Sequence, residues 1–127
     1  MPRFVILRHE TPPGDPRGTH WDLMLEAEGA LRTWALASEP AAGETISADQ
    51  LADHRLTYLV YEGPISGNRG AVTRCDAGTM EWDEVIDERI VVTLRGATLR
   101  GEVRLSRETP GSERWLVSFE SPQSADS

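Results

Sequence analysis

The stretch His20-Trp21-Asp22-Leu23-Met24-Leu25-Glu26-Ala27 decides the fold class of this 127-residue chain. Apolar residues occupy every second position, a period that is typical of a β-strand with one buried face. The residues predicted to face the core are Trp21, Leu23, Leu25 and Ala27. The residues predicted to face away from it are His20, Asp22, Met24 and Glu26. Glu28-Gly29 then predicts a tight hairpin turn into a second strand over residues 30–36.

The same period of two recurs along the rest of the chain, whereas helix signals are scarce. It predicts strands over residues 3–7, 56–62, 71–75, 80–85, 89–94, 98–105 and 114–119. The capping-box pattern Ser47-Ala48-Asp49-Gln50 predicts one helix of about two turns that ends before His54. Residues 10–19 are rich in Pro and Gly and predict a loop. We therefore expect a mainly β fold, a small closed or nearly closed barrel of about eight strands with one or two short helices, because closure removes exposed sheet edges.

Composition indicates one globular domain without a membrane segment. Hydrophobic residues make up 39% and charged residues 27% of the chain, and we expect a single domain over residues 1–120. The polar residues 121–127 predict a disordered tail. No apolar run approaches the roughly 20 residues that span a bilayer, and no signal peptide is evident. The single cysteine, Cys75, is predicted to be a packed residue. Because one cysteine cannot form an internal disulfide, we expect a reducing compartment, the cytoplasm.

The charge balance excludes one class of function and argues against another. All 13 basic residues are arginine, so mechanisms that need a lysine, including the adenylated lysine of a DNA ligase, are excluded. The net charge of −8 argues against broad binding of nucleic acid, because neutralisation of phosphates by basic side chains supplies most of that affinity. A local arginine patch that binds a short recessed end remains compatible with this composition.

Two histidines and a carboxylate form the sharpest candidate site. His20 and Asp22 lie two residues apart on a predicted strand, so both side chains point to the same face, roughly 6–7 Å apart along the chain. His9 ends the first predicted strand and is joined to His20 by the loop of residues 10–19. Two imidazoles and one carboxylate can hold a divalent metal and leave positions open for water and substrate. The alternative is a solvated polar face that contains a histidine.

The remaining candidates surround the third histidine. His54 can contact a phosphate or donate a proton, with Tyr58 as its hydrogen-bonding neighbour; the alternative is a histidine at a helix C-terminus that the dipole stabilises. The Gly-rich residues 62–70 can expose backbone N–H groups and Arg69 to an anion, or serve as a plain strand connection. His20 and Asp22 with His54 would instead resemble the facial triad of non-haem iron oxygenases.

Several of these segments together resemble one family, the 3′-phosphoesterase domain of bacterial DNA ligase D. The motifs that carry the resemblance occur in the family's order at residues 4–9, 20–26, 33–35, 53–58, 61–63 and 99–103. The resemblance implies a small β-barrel with a manganese site whose ligands fall on His9, His20 and Asp22. It also implies active-site roles for His54 and Tyr58. The family removes a terminal ribonucleoside, and then the remaining 3′-phosphate, from the 3′ ends of primer strands.

Two family arginines that hold phosphate are missing from this chain. Met24 stands at the position of the first, and the second aligns with the region of Ile46, where no basic residue occurs. Candidate replacements are Arg55, Arg69 and Arg74, and Arg69 is the one we expect to act as the clamp.

The expected function is therefore a Mn²⁺-dependent phosphoesterase that acts on a nucleic-acid 3′ end or a small phosphate ester, beside a separately encoded repair ligase or polymerase. The alternative is a catalytically weakened metal-binding module with a protein, nucleic-acid-end or small phosphate-ester ligand.

Overall fold

The computed structural model describes residues 1–120, and the tail predicted over residues 121–127 lies outside this range. The described part contains nine strands and one 3₁₀ helix. In chain order these elements are β1 Arg3–Glu10, β2 His20–Ala27, β3 Ala30–Leu36, β4 Thr45–His54, the 3₁₀ helix Leu56–Leu59, β5 Gly63–Pro64, β6 Ala71–Ile86, β7 Arg89–Gly96, β8 Arg100–Arg107 and β9 Arg114–Phe119. Within the same residues, no helix is long and apolar enough to cross a membrane.

Eight strands form a ring, which confirms the predicted barrel. The antiparallel order is β1-β2-β3-β4-β9-β8-β7-β6, and a further pairing between β1 and β6 closes it. β5 is a short ninth strand that pairs with Ala71 and Val72 at the start of β6. Closure gives the edges of β1 and β6 a partner, as small antiparallel sheets require.

The predicted helix at residues 47–50 is wrong, because these residues lie within β4. This strand pairs with β3 on one side and with β9 on the other. Ile46 and Ala48 face the barrel interior at alternate positions, so sheet pairing overrides the short capping-box signal.

 In the sheet, Ala48 lies between its register partners Leu36 of β3 and Trp115 of β9.

Two other boundaries differ from the sequence expectation. The segment predicted as a strand over residues 56–62 contains the 3₁₀ helix Leu56–Leu59 and then a loop. The strands predicted over residues 71–75 and 80–85 are one continuous strand, β6, which pairs with β1 along its first half and with β7 along its second. A register shift in the β1–β6 pairing skips Cys75, and this bulge leaves the side chain exposed, not packed as expected.

Apolar side chains form two clusters, one on each side of β1 and β2. The barrel interior is centred on Trp34 and Trp115, whose rings pack edge to face at 5.6 Å. A second cluster lies on the outer face, where the 3₁₀ helix covers the barrel; its buried members are Val5, Leu7, Met24, Leu31, Leu59 and Val72. The alternative of a solvated polar face on β2 is therefore wrong, since Met24 and Asp22 are both buried.

Candidate metal centre

His9, His20 and Asp22 come together on the covered outer face of the barrel. β1 and β2 are antiparallel, and their register places His9 opposite His20 and Leu7 opposite Asp22. The two imidazole rings lie 4.7 Å apart between centroids. One ligand atom from each of the three residues lies within 4.8 Å of the others. The structure thus assembles the trio that the sequence predicted, and His54 is not part of it.

Backbone carbonyl groups fix the orientation of both histidine rings. Nε2 of His9 lies 2.8 Å from the carbonyl oxygen of Arg69, and Nδ1 of His20 lies 2.9 Å from that of Gly18. A carbonyl oxygen only accepts, so each of these ring nitrogens carries a hydrogen, and in a neutral ring the other nitrogen keeps its lone pair. Metal-binding histidines are commonly oriented in this way by a carbonyl group behind the ring.

The two remaining ring nitrogens face the oxygens of Asp22. Nδ1 of His9 lies 3.4 Å from Oδ2, and Nε2 of His20 lies 3.2 Å from Oδ1. The Asp22 side chain is buried, and its Oδ1 atom has no hydrogen-bond partner within residues 1–120. Two nitrogen lone pairs and a carboxylate therefore converge in a largely buried site. Their mutual repulsion and loss of hydration raise the free energy of the folded state unless a positive charge lies among them.

The donor set fits a divalent metal ion. Two imidazole nitrogens and one carboxylate oxygen suit several divalent transition metals, Mn²⁺ among them, and leave coordination positions open. The three residues thus offer oriented ligand atoms, and a bound ion would supply the positive charge that the site lacks.

The pKa shifts of the trio have the same electrostatic origin. The interaction with the Asp22 carboxylate raises the pKa of His9, although burial opposes this change. Burial is the largest influence on Asp22 and raises its pKa, but the contacts with His20 and His9 together outweigh it, so the pKa of this carboxyl lies below its usual value. Both shifts show that positive charge is favoured beside the carboxylate.

A small cavity beside the trio collects the other predicted residues. It has a volume of about 60 Å³, and its wall includes His9, Asp22, Met24, His54, Tyr58 and Arg69. We call it the central cavity. His20 instead lines a larger groove of about 570 Å³, which shares no wall residue with the central cavity. The trio therefore contributes to both spaces, His9 and Asp22 to the central cavity and His20 to the groove.

His54 enters the central cavity from the last position of β4. Its Nδ1 atom lies 2.9 Å from the carbonyl oxygen of Ala52, so Nδ1 carries a hydrogen and Nε2 is the nitrogen left for chemistry. The ring packs edge to face on Tyr58 at 5.6 Å, and this packing replaces the hydrogen bond expected between the two residues. The alternative of a histidine at a helix C-terminus is wrong, since His54 ends a strand.

The Gly-rich segment supplies a carbonyl group and an arginine to the site. Gly70 has a φ of 91°, and a Cβ atom there would collide with the backbone of Glu10, so glycine allows the segment to approach the end of β1. This approach brings the Arg69 carbonyl to His9. The Arg69 guanidinium is held by Ser66, through Nε to the carbonyl oxygen at 2.7 Å and Nη2 to Oγ at 3.3 Å.

The positions of the two missing family arginines differ in their surroundings. Met24 is buried in the wall of the central cavity, so the cavity has no cation at this point. Ile46 packs inside the barrel. Among the candidate replacements Arg69 lines the central cavity, whereas the Arg74 guanidinium lies 3.4 Å from the carbonyl oxygen of Leu59.

Sequence reasoning missed the carbonyl groups that orient the rings and the groove beside His20. The groove contains Arg17 and Arg114, which both pair with Asp49, at 2.9 and 3.5 Å. The identity of a side chain does not indicate that the carbonyl group of the same residue orients a histidine ring. Only the density of Gly and Pro in residues 10–19 and 62–70 indicated loops of a defined shape.

Comparison with known proteins agrees with this geometry. The family model described as the DNA ligase D 3′-phosphoesterase domain matches residues 9–107. The multifunctional non-homologous end joining DNA repair protein LigD of Mycobacterium tuberculosis is 32% identical over 123 residues, which cover 90% of this chain and 15% of that protein. LigD of Pseudomonas aeruginosa is 35% identical over 89 residues, which cover 66% of this chain and 10% of that protein.

LigD of Mycolicibacterium smegmatis is similar to the same extent, at 32% identity over 133 residues that cover 91% of this chain and 16% of that protein. The chain therefore spans only a small part of the length of the relatives it matches. The family model covers most of the barrel, including all three residues of the trio and the wall of the central cavity. The chain belongs to the DNA ligase D 3′-phosphoesterase domain family.

Proposed function

We propose that this chain is a metal-dependent phosphoesterase that processes nucleic-acid 3′ ends in DNA repair, with Mn²⁺ as the metal. Its substrates are a 3′-terminal ribonucleoside, joined through a phosphodiester, and the 3′-phosphate that remains after its removal. The family membership supports end processing as the role. A cytoplasmic location and a separately encoded ligase or polymerase as working partner belong to the same proposal.

One observation carries the proposal: a largely buried trio of metal-ligand type, with both histidines oriented by carbonyl groups, borders a cavity that is also lined by a third histidine and an arginine. His9, His20 and Asp22 would hold the ion, while His54 and Arg69 face the space beside it. A bound divalent ion at this position supplies a polarised phosphoryl oxygen and a water of lowered pKa. A metal-ligand set beside cationic and proton-donating groups is what phosphate-ester hydrolysis requires.

The side chains of the central cavity complete the reaction. Hydrolysis forms a bond between a water oxygen and phosphorus and breaks the bond from phosphorus to the leaving oxygen, which takes up a proton. His54 in its imidazolium form donates that proton, or a hydrogen bond to the phosphate, from Nε2, because its Nδ1–H bonds to the carbonyl oxygen of Ala52. The Arg69 guanidinium balances the negative charge of the phosphoryl oxygens. Tyr58 holds the His54 ring by packing.

A second candidate function is a metal-binding module of the same fold with weakened catalysis. The observation that favours it is Met24, which lines the central cavity where the family has an arginine. Loss of one cationic contact to a transferring phosphoryl group costs about 10²–10³ in rate when nothing replaces it.

Cleavage of defined primer–templates tests the proposal. One substrate carries a single 3′-terminal ribonucleotide and the other a 3′-phosphate, each with and without Mn²⁺, and a His20→Ala variant serves as the control. We expect Mn²⁺-dependent trimming of both ends that the variant loses. If the wild-type chain binds Mn²⁺ and leaves both ends intact, the module with weakened catalysis is the better account.

A further inference from the structure

Most arginines of this acidic chain are neutralised by carboxylates, and two of the exceptions line one cavity near the metal centre. Eight of the 13 arginines form ion pairs with carboxylates of residues 1–120. The arginines without such a partner in that range are Arg32, Arg55, Arg69, Arg74 and Arg100. Arg55 and Arg69 line one cavity. An unneutralised pair of this kind in a chain of charge −8 marks a place suited to an anionic or electron-rich ligand.

This cavity, which we call the side pocket, opens onto the central cavity. It has a volume of about 260 Å³, and Tyr58, Ile65 and Arg69 belong to the walls of both spaces. Its other walls include Arg55 and Tyr61, and no acidic residue lines it within the described part of the chain. A phosphate ester held at the trio therefore has this pocket next to it.

We infer that the side pocket binds the terminal ribonucleoside, the group that leaves when the phosphodiester is cleaved; this inference rests on the proposed function. The rings of Tyr58 and Tyr61, 6.1 Å apart and nearly perpendicular, provide an aromatic surface for a base. The guanidinium groups of Arg55 and Arg69 can stack on a base or bond to its acceptors. The hydroxyl groups of Thr57 and Ser66 provide hydrogen-bonding partners for a ribose.

The size of the side pocket favours a single nucleoside over a length of strand. Its volume lies just below the roughly 300–1,000 Å³ of sites that take drug-sized molecules. The groove that His20 lines is about twice as large, at about 570 Å³, and its arginines, Arg17 and Arg114, both pair with Asp49. The two spaces share no wall residue, so a diester held at the trio can place its terminal nucleoside in the side pocket and its retained strand in the groove.

This arrangement separates the two reactions. Removal of the ribonucleoside breaks the bond between phosphorus and the 5′ oxygen of that nucleoside, which departs with a proton, while water supplies the new oxygen on phosphorus. Removal of the 3′-phosphate breaks the bond between phosphorus and the 3′ oxygen of the strand, and no terminal nucleoside is present. The side pocket is therefore used in the first reaction and empty in the second.

Two variants in the pocket and one matched control test the inference. Arg55→Ala removes an exposed arginine that has no ion-pair partner in the described part, and Thr57→Trp fills the pocket from an exposed position. Arg100→Ala removes another exposed arginine of the same kind, outside both cavities. Rates on the 3′-ribonucleotide and 3′-phosphate primers are measured for each, with Mn²⁺.

For both pocket variants we expect the ratio of ribonucleoside removal to phosphate removal to fall by about tenfold or more, with the control at the wild-type ratio. An unchanged ratio in both pocket variants would overturn the inference, even if both rates fell together. Equilibrium dialysis with a radiolabelled ribonucleoside provides a readout apart from catalysis. If the wild-type chain binds the ribonucleoside and Thr57→Trp does not, the pocket is supported. A wild-type chain that binds the ribonucleoside but trims neither end would defeat the proposed function and leave the pocket standing. Absence of binding to the wild-type chain would overturn the pocket.

Discussion

The carbonyl oxygen of Arg69 lies 2.8 Å from Nε2 of His9, so the Gly-rich segment determines which nitrogen of this ring faces Asp22. The same residue lines the central cavity, and Ser66 holds its guanidinium. A single position thus links the orientation of a metal ligand to the charge of the substrate site, through its backbone in one case and its side chain in the other.

The backbone role of residue 69 depends on its neighbour Gly70. Gly70→Ala would place a Cβ atom against the carbonyl group of Glu10 and push the Arg69 carbonyl away from His9. We expect the affinity for Mn²⁺ to fall about 10–100-fold, the usual effect of losing a group that orients a ligand. Gly111→Ala is the control, because Gly111 also has a positive φ, of 76°, but open space around it. Calorimetric titration measures both affinities, and equal values in the two variants would contradict the role of Gly70.

The side chain of Arg69 can be tested separately from its backbone. Arg69→Ala keeps the carbonyl group, so Mn²⁺ affinity should stay near the wild-type value, while phosphate removal should slow by about 10²–10³. Steady-state kinetics and Mn²⁺ titration on the same preparation give both numbers. An Arg69→Ala chain that turns over like the wild type would show that another group holds the phosphate.

His54 and Tyr58 are expected to respond differently to substitution. His54→Ala removes the free Nε2 and should lower kcat by about 10²–10⁴ without loss of the metal. Tyr58→Phe keeps the ring that packs on His54 at 5.6 Å and should retain most activity, because packing and not a hydrogen bond joins the two residues. Comparable losses of kcat in the two variants would instead indicate that the Tyr58 hydroxyl takes part in the reaction.

Asp76 stabilises the barrel far from the metal centre. Its buried carboxylate accepts hydrogen bonds from the backbone N–H groups of Ala77, Ala97, Thr98 and Leu99 at 2.7 to 3.3 Å. Asp76→Ala removes the shared acceptor of these four part-buried hydrogen-bond donors and should lower the free energy of unfolding by about 3 kcal/mol. Asp83→Ala, on the exposed side of the same strand, should cost less than about 1 kcal/mol. Urea denaturation distinguishes these values.

Local patterns were sufficient to predict most of the strands and the proximity of the three residues of the trio. The alternation in residues 20–27 defines a strand wherever it lies in the sheet, and His9 and His20 flank one loop between adjacent antiparallel strands, so their proximity follows from the sequence. The covering of Asp22 could not be predicted in the same way. It depends on how the 3₁₀ helix packs over β1 and β2, a contact between distant parts of the chain.

The errors share a physical cause. Residues 47–50 carry a local helix signal, but pairing with β3 and β9 decides their structure, and those partners are remote in sequence. The ring-orienting carbonyl groups of Gly18, Ala52 and Arg69 depend on backbone conformation, which side-chain identity does not reveal. The side pocket likewise forms from two segments that each look like ordinary connections.

The central claim is that His9, His20 and Asp22 hold one divalent ion, and a Mn²⁺ titration followed by electron paramagnetic resonance tests it most directly. The wild-type chain and Asp22→Asn are compared, with circular dichroism to verify that both are folded. We predict one tightly bound Mn²⁺ per wild-type chain and loss of that binding in Asp22→Asn, because the amide removes the negative charge on which the site depends. A folded wild-type chain that binds no Mn²⁺, or an Asp22→Asn chain that binds it equally well, would contradict the account.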